Sequence, residues 1–119
     1  MDEDKIPRQV QDKLAQFQNL QQQLQLISLQ KQQMVIQNGE IDNAQKELST
    51  LKAGKIYRII GPLLVETTKT DSEKKMKDDS DLNKTRIEVL EKQEKKIAEK
   101  LNEMRTELQA MIKGPGQAG

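Results

Sequence analysis

The chain has 119 residues and a net charge of +1, from 20 basic and 19 acidic residues. Hydrophobic residues make up 34%, charged residues 33% and aromatic residues 2%, the last being only Phe17 and Tyr57. That length fits one domain, but it carries too few large apolar side chains for a compact core, which leaves disorder, a coiled coil or a core shared with partners.

The near-neutral charge balance argues against a nucleic-acid partner, which calls for a basic excess. Without Cys or His, disulfide and thiolate chemistry and the commonest general base are out of reach. No Gly-rich phosphate loop is present, and the carboxylates lie on polar helix faces. No catalytic residue, cofactor or metal site is therefore expected. No run approaches the ~18 apolar residues of a membrane span. The charged start Met1-Asp2-Glu3-Asp4-Lys5 lacks a signal peptide's apolar stretch, so a cytoplasmic location without membrane contact is expected.

Residues 8–52 are predicted to be the first helix of a coiled coil. Leu20, Ile27, Met34, Ile41 and Leu48 recur every seventh residue. A second line starts with Val10, Phe17 and Leu24 and turns polar at Lys31, Asn38 and Gln45. Such paired lines mark a coiled-coil stripe. Late in the helix, Ala44 and Leu51 are expected to replace the failing line as the stripe drifts. Twelve Gln residues within 9–37 read as a neutral, soluble face. Gly39 weakens the helix locally, and Asn38-Gly39 could also form a turn that splits it. Met34, Ile41 and Leu48 keep their register across the glycine, so a continuous helix is the expectation preferred.

Residues 55–68 are predicted to form a β-hairpin. Lys55–Ile60 and Leu63–Thr68 read as two short strands. Gly61-Pro62 suits a type II′ turn, with positive φ at Gly and negative φ at Pro. Side chains alternate along a strand, so neighbouring Ile59 and Ile60, and Leu63 and Leu64, place apolar groups on both faces. An isolated hairpin is marginal in water, and its open edges invite pairing. Ile56, Tyr57, Ile59, Ile60, Leu63, Leu64 and Val65 are therefore expected to form an oligomerisation surface that joins strands of other subunits. The alternative is that the hairpin folds onto its own helices.

Residues 70–113 are predicted to be the second coiled-coil helix, opened by a Thr70-x-x-Glu73 capping box. One line is Leu90, Ile97, Met104 and Met111, and the other is Ile87, Glu94, Leu101 and Leu108. Residues 114–119, Gly-Pro-Gly-Gln-Ala-Gly, read as a flexible tail.

One antiparallel register satisfies both helices. Val10 and Met111, Phe17 and Met104, Leu24 and Ile97, and Lys31 and Leu90 each have numbers totalling 121. So do Lys13 and Leu108, Leu20 and Leu101, Ile27 and Glu94, and Met34 and Ile87. The same register puts the fold-back at Gly61-Pro62. The expected fold class is mainly α: a long antiparallel two-helix coiled coil joined by one β-hairpin. The hairpins are expected to assemble into an oligomeric β-barrel platform, within a single domain over 1–119.

The Gln-rich helix (Leu14-Ala-Gln-Phe-Gln-Asn-Leu-Gln-Gln-Gln-Leu-Gln), the hairpin Ile56-Tyr-Arg-Ile-Ile-Gly-Pro-Leu-Leu-Val and the helix with Leu90-Glu-Lys-Gln-Glu-Lys-Lys together resemble the β class of the archaeal prefoldin family. One hairpin rather than two fits that class. The resemblance implies a chaperone hexamer of two α and four β subunits, with hairpins forming a double β-barrel base and six coiled coils projecting from it. It implies capture of unfolded protein clients without ATP and their delivery to a group II chaperonin.

Under that resemblance the chain ends are the working tips, since terminal helix turns lack backbone partners and fray. Opening them would offer Ile6, Val10, Leu14, Phe17, Met104, Leu108, Met111 and Ile112 to a client. Flexible Met suits irregular apolar partners, and several weak tips add by multivalency. Phe17, Leu101 and Met104 are expected mainly in the seam. Val10, Leu14, Met111 and Ile112, nearest the end, are expected to be exposed or to contact a client. The competing function is a purely structural coiled-coil scaffold or tether, which has no need of a sticky hairpin.

Overall fold

The computed structural model describes residues 6–113. The flexible tail expected at 114–119 lies outside the described residues. The order is helix α1 (Arg8–Thr50), strand β1 (Ile56–Ile60), strand β2 (Leu63–Thr67) and helix α2 (Lys69–Lys113). The described residues fall into two compact units, one of residues 6–30 with 90–113 and one of residues 31–89.

The first unit is a pair of antiparallel helical segments closed over an apolar seam. Val10, Leu101, Met104 and Leu108 are buried in it. Phe17, Leu20, Leu24, Ile27 and Ile97 are half-buried. Two polar bonds cross the seam and report its register. Lys13 Nζ pairs with Glu107 Oε2, and Ser28 Oγ donates to Glu94 Oε2 at 2.6 Å. Both pairs lie within one residue of the register totalling 121. Glu94 thus occupies a seam position opposite Ile27 but turns its carboxylate to the flank, where the Ser28 hydroxyl meets it.

The second unit holds the fold-back. In β1 and β2 the pairing runs from Ile56↔Thr67 to Ile60↔Leu63, an antiparallel ladder closed by the two residues Gly61 and Pro62. Gly61 has φ +56°, which glycine alone tolerates cheaply. Pro62 cannot follow with positive φ, so the turn is type II′, the type whose twist matches that of the strands. Gly54, with φ +113°, turns the chain from α1 toward β1.

The helical part of this unit keeps strict heptad lines. Lys31, Met34, Ile41, Gln45 and Leu48 are half-buried and Asn38 is buried, while Ala44 and Leu51 are exposed. The expected takeover by Ala44 and Leu51 is therefore corrected. A coiled-coil seam holds the 3.5-residue repeat rather than drifting, and it retains Asn38 and Gln45 although they are polar. On α2 the facing residues Asn83 and Ser80 are buried, and Met76 is half-buried.

Helix α1 passes through Gly39 without a break. A Cβ at Gly39 would meet nothing within 4 Å. Substituting Gly39→Ala is therefore expected to raise the stability of the chain by about 1 kcal/mol. A shift of the denaturation midpoint to higher denaturant measures it.

The end of α1 is closed from another element. Its last turn contains no basic residue. Lys69 supplies one, with Nζ donating to the carbonyls of Ser49 at 3.3 Å and Leu51 at 3.1 Å. A cation here satisfies orphan acceptors and faces the negative end of the helix dipole.

At the start of α2 the capping residue is Thr68 rather than Thr70. The Asp71 amide donates to Thr68 Oγ1 at 3.1 Å, and the Ser72 amide donates to the Thr68 carbonyl at 3.0 Å. The helix begins earlier than the Thr70-x-x-Glu73 box suggests because Thr68 lies directly after the ladder and its hydroxyl accepts from the third residue on, as a cap does. Thr68→Ala is expected to cost about 1 kcal/mol, whereas Thr70→Ala stays within about 0.5 kcal/mol. Thermal melting of the two variants separates the assignments.

Candidate functional site

Two surfaces are candidates, and each belongs to one unit. The first lies at the terminal turns of α1 and α2. Helix α1 starts after Pro7, whose carbonyl accepts from the amides of Val10 and Gln11 at 3.0 and 3.1 Å. Gln11 Nε2 donates to the Ile6 carbonyl at 3.2 Å. These bonds tie Ile6 against the first turn and leave its side chain exposed.

The eight residues expected to meet clients divide into two sets. Ile6, Leu14, Met111 and Ile112 are exposed, Ile112 most of all at 66%. Val10 at 5%, Met104 at 2% and Leu108 are buried, and Phe17 is half-buried. For Val10 the expectation of exposure is corrected, since it is buried in the single chain. The turn anchored by Pro7 carries it into the seam, where the register sets it opposite Met111. Any client contact by Val10, Met104 or Leu108 requires the terminal turns to part.

Lys13 occupies a seam position opposite Leu108. Its stem follows the apolar line while its ammonium group reaches out to Glu107, as amphipathic side chains do. The hydrogen bond from Lys13 and its positive charge hold the Glu107 carboxyl below the usual glutamate value of 4.5. Because the folded-state pKa is depressed, the pair's contribution is present above the unfolded value and is lost as pH falls through the lower folded value. Glu107→Gln is thus expected to melt slightly below the parent chain near neutral pH, with the difference vanishing on the acid side of 4.5. Melting curves across that range measure it, and the effect is small because both groups face solvent.

The second surface is the hairpin. Tyr57, Ile59 and Leu64 share one face with Glu66, while Ile60, Leu63 and Val65 share the other with Arg58. All six of these apolar side chains are exposed, with Ile59 reaching 78%. Ile56, at the base, is half-buried. It lines a groove of about 490 Å³ with Ala44, Leu48, Leu51, Tyr57 and Met76, rimmed by Lys55, Arg58 and Lys75. The hairpin thus shares a groove with its own helices at its base, while the side chains of its tip stand exposed.

Sequence reading missed a third group. Leu26 and Leu29 in the first unit, and Val35, Ile36, Leu82 and Val89 in the second, are exposed. Apolar residues off both heptad lines are the signal that identifies them. Among the described residues no helix is long and apolar enough to cross a membrane. Nor does any cluster of three or more acidic, His or Cys side chains there suit a metal ion.

The sequence pattern of the family described as "Prefoldin subunit" matches residues 11–115. The chain is 37% identical over 111 residues to a prefoldin subunit beta of Thermococcus kodakarensis, covering 92% of this chain and 95% of that one. It is 38% identical over 111 residues to a prefoldin subunit beta of Pyrococcus horikoshii, with the same two coverages. In three dimensions it is similar to the crystal structure of the prefoldin beta subunit from Thermococcus strain KS-1. The TM-score is 0.82, at 37% identity, covering 92% of this chain and 97% of that one.

Proposed function

Since the chain belongs to the prefoldin subunit family, we propose that it is a β-class subunit that captures unfolded protein clients at the terminal turns of its coiled coil, without ATP. It works in a cytoplasmic hexamer of two α and four β subunits and delivers its clients to a group II chaperonin. The observation that carries this reading is the hairpin. Apolar side chains on both of its faces stand in water in the single chain, a state that a partner's strands relieve. A tether or scaffold has no use for such a surface.

Capture follows from the terminal turns. Ile6, Leu14, Met111 and Ile112 already offer apolar area there, and burial of such area yields about 25 cal/mol per Å². Parting the last turns would add Val10, Phe17, Met104 and Leu108. Each chain end is a weak site, and six in one assembly multiply in effect. Binding then rests on apolar burial and geometry, with no step that nucleotide hydrolysis must drive.

The test uses the full chain assembled with an α-class subunit. The combined substitutions Ile6→Ser, Leu14→Ser, Met111→Ser and Ile112→Ser are expected to leave the mass of the complex unchanged. They should reduce, several-fold, its suppression of light scattering by a denatured protein in the absence of ATP. Undiminished suppression would overturn the assignment of the terminal turns. The substitutions Ile59→Glu and Leu64→Glu are expected to abolish the complex itself, and an intact complex would overturn the hairpin's role.

A further inference from the structure

Within the second unit the seam contains a polar layer that neither capture nor assembly uses. Asn38 on α1 is 8% exposed and Asn83 on α2 is 9% exposed, and they face one another in the register totalling 121. The Asn38 Oδ1 atom is buried with no hydrogen-bond partner. The next layer sets Ile41 against Ser80, which is 4% exposed. The layer after it sets Gln45 against Met76. From Asn38 to Gln45, Ile41 is the one apolar residue that α1 contributes to the seam. Gly39, beside the Asn layer, has open space around it.

We infer that the Asn38–Asn83 layer is a built-in opening point, where the facing helices part and admit water while each remains helical. A buried acceptor without a donor disfavours the closed state, and water is the donor that opening brings. The loss of apolar contact on opening is small, since Asn38, Asn83, Ser80 and Gln45 contribute little of it. Each helix keeps its own backbone bonds, so separation requires no melting. The Met34–Ile87 layer on one side, and Leu48 and Met76 with Ile56 of the hairpin base on the other, keep the opening local. Local opening of this kind draws on the least stable cooperative unit of a fold.

A register lock is the opposite reading of the same residues, because a lone Asn layer also specifies alignment in coiled coils. The two differ in what replacement by Leu does. A lock loosens on replacement or stays as it was. An opening point closes.

The chain has no native Cys, so an introduced thiol reports on its own site. Ser80→Cys is nearly isosteric and sits in the layer next to Asn83. In the full-length chain, assembled with its partner subunits, labelling by a water-soluble maleimide is followed by intact mass. Ser80→Cys is expected to label at least tenfold faster than Leu101→Cys, although both positions are buried. Adding Asn38→Leu and Asn83→Leu is expected to slow Ser80→Cys labelling at least fivefold, with helicity retained by circular dichroism. The inference is overturned if Ser80→Cys labels no faster than Leu101→Cys. It is equally overturned if the paired Leu substitutions leave its rate unchanged or raise it. The first comparison needs no Leu substitutions, so it decides the matter even where the triple variant misfolds.

Discussion

Each helix of this chain has one narrow apolar stripe, and the two stripes must cover each other or stand in water. Everything else in the fold accommodates that constraint. The two-residue turn at Gly61-Pro62 returns the chain antiparallel, so that one register aligns both heptad lines. Lys13 with Glu107 and Ser28 with Glu94 bridge the helices within a residue of that register. Lys69 seals the last carbonyls of α1, which its own sequence leaves without a cation. These polar contacts sit at the flanks and caps, where they align the apolar seam without replacing it.

The seam is uneven in chemistry. In the first unit it is built of Val, Leu, Met, Phe and Ile around the stems of Lys13 and Glu94. In the second it passes through Asn38, Asn83, Ser80 and Gln45. A two-helix pair buries little surface per residue, so this unevenness translates directly into local stability. The hairpin makes the opposite exchange. Its base is sheltered by Leu48, Leu51 and Met76, while its two faces place six large apolar groups in water. Family membership and this surface agree that the single chain is an incomplete object, finished only by other subunits.

Much of this is legible in the sequence because heptad spacing is a long-range signal repeated many times. Five apolar residues at seven-residue spacing survive a Gly39 or a Lys31. The turn is legible because Gly-Pro between β-branched runs allows few geometries. Single-residue judgements fared less well. Ala44 and Leu51 looked like better seam residues than Asn38 and Gln45. Apolarity is a property of the residue, however, while seam position is a property of the supercoil. Thr70 and Thr68 are both capable caps, and only the end of the strand ladder selects between them. Val10 looked exposed from its place near the terminus, yet Pro7 starts the helix early enough to bring it inside. Leu26 and Leu29 went unnoticed because they lie off the lines that made the helix recognisable.

The shared register also ties the lengths of the two helices together. One residue inserted into α1 before the turn would swing every earlier seam residue by about 100° relative to α2. A matching residue in α2 restores the distance from the turn but not the facing sides. Only a whole heptad added to each helix preserves both. Divergence in chain length should therefore proceed by paired seven-residue steps, and odd insertions should collect in the connection at residues 51–55, which lies outside both helices.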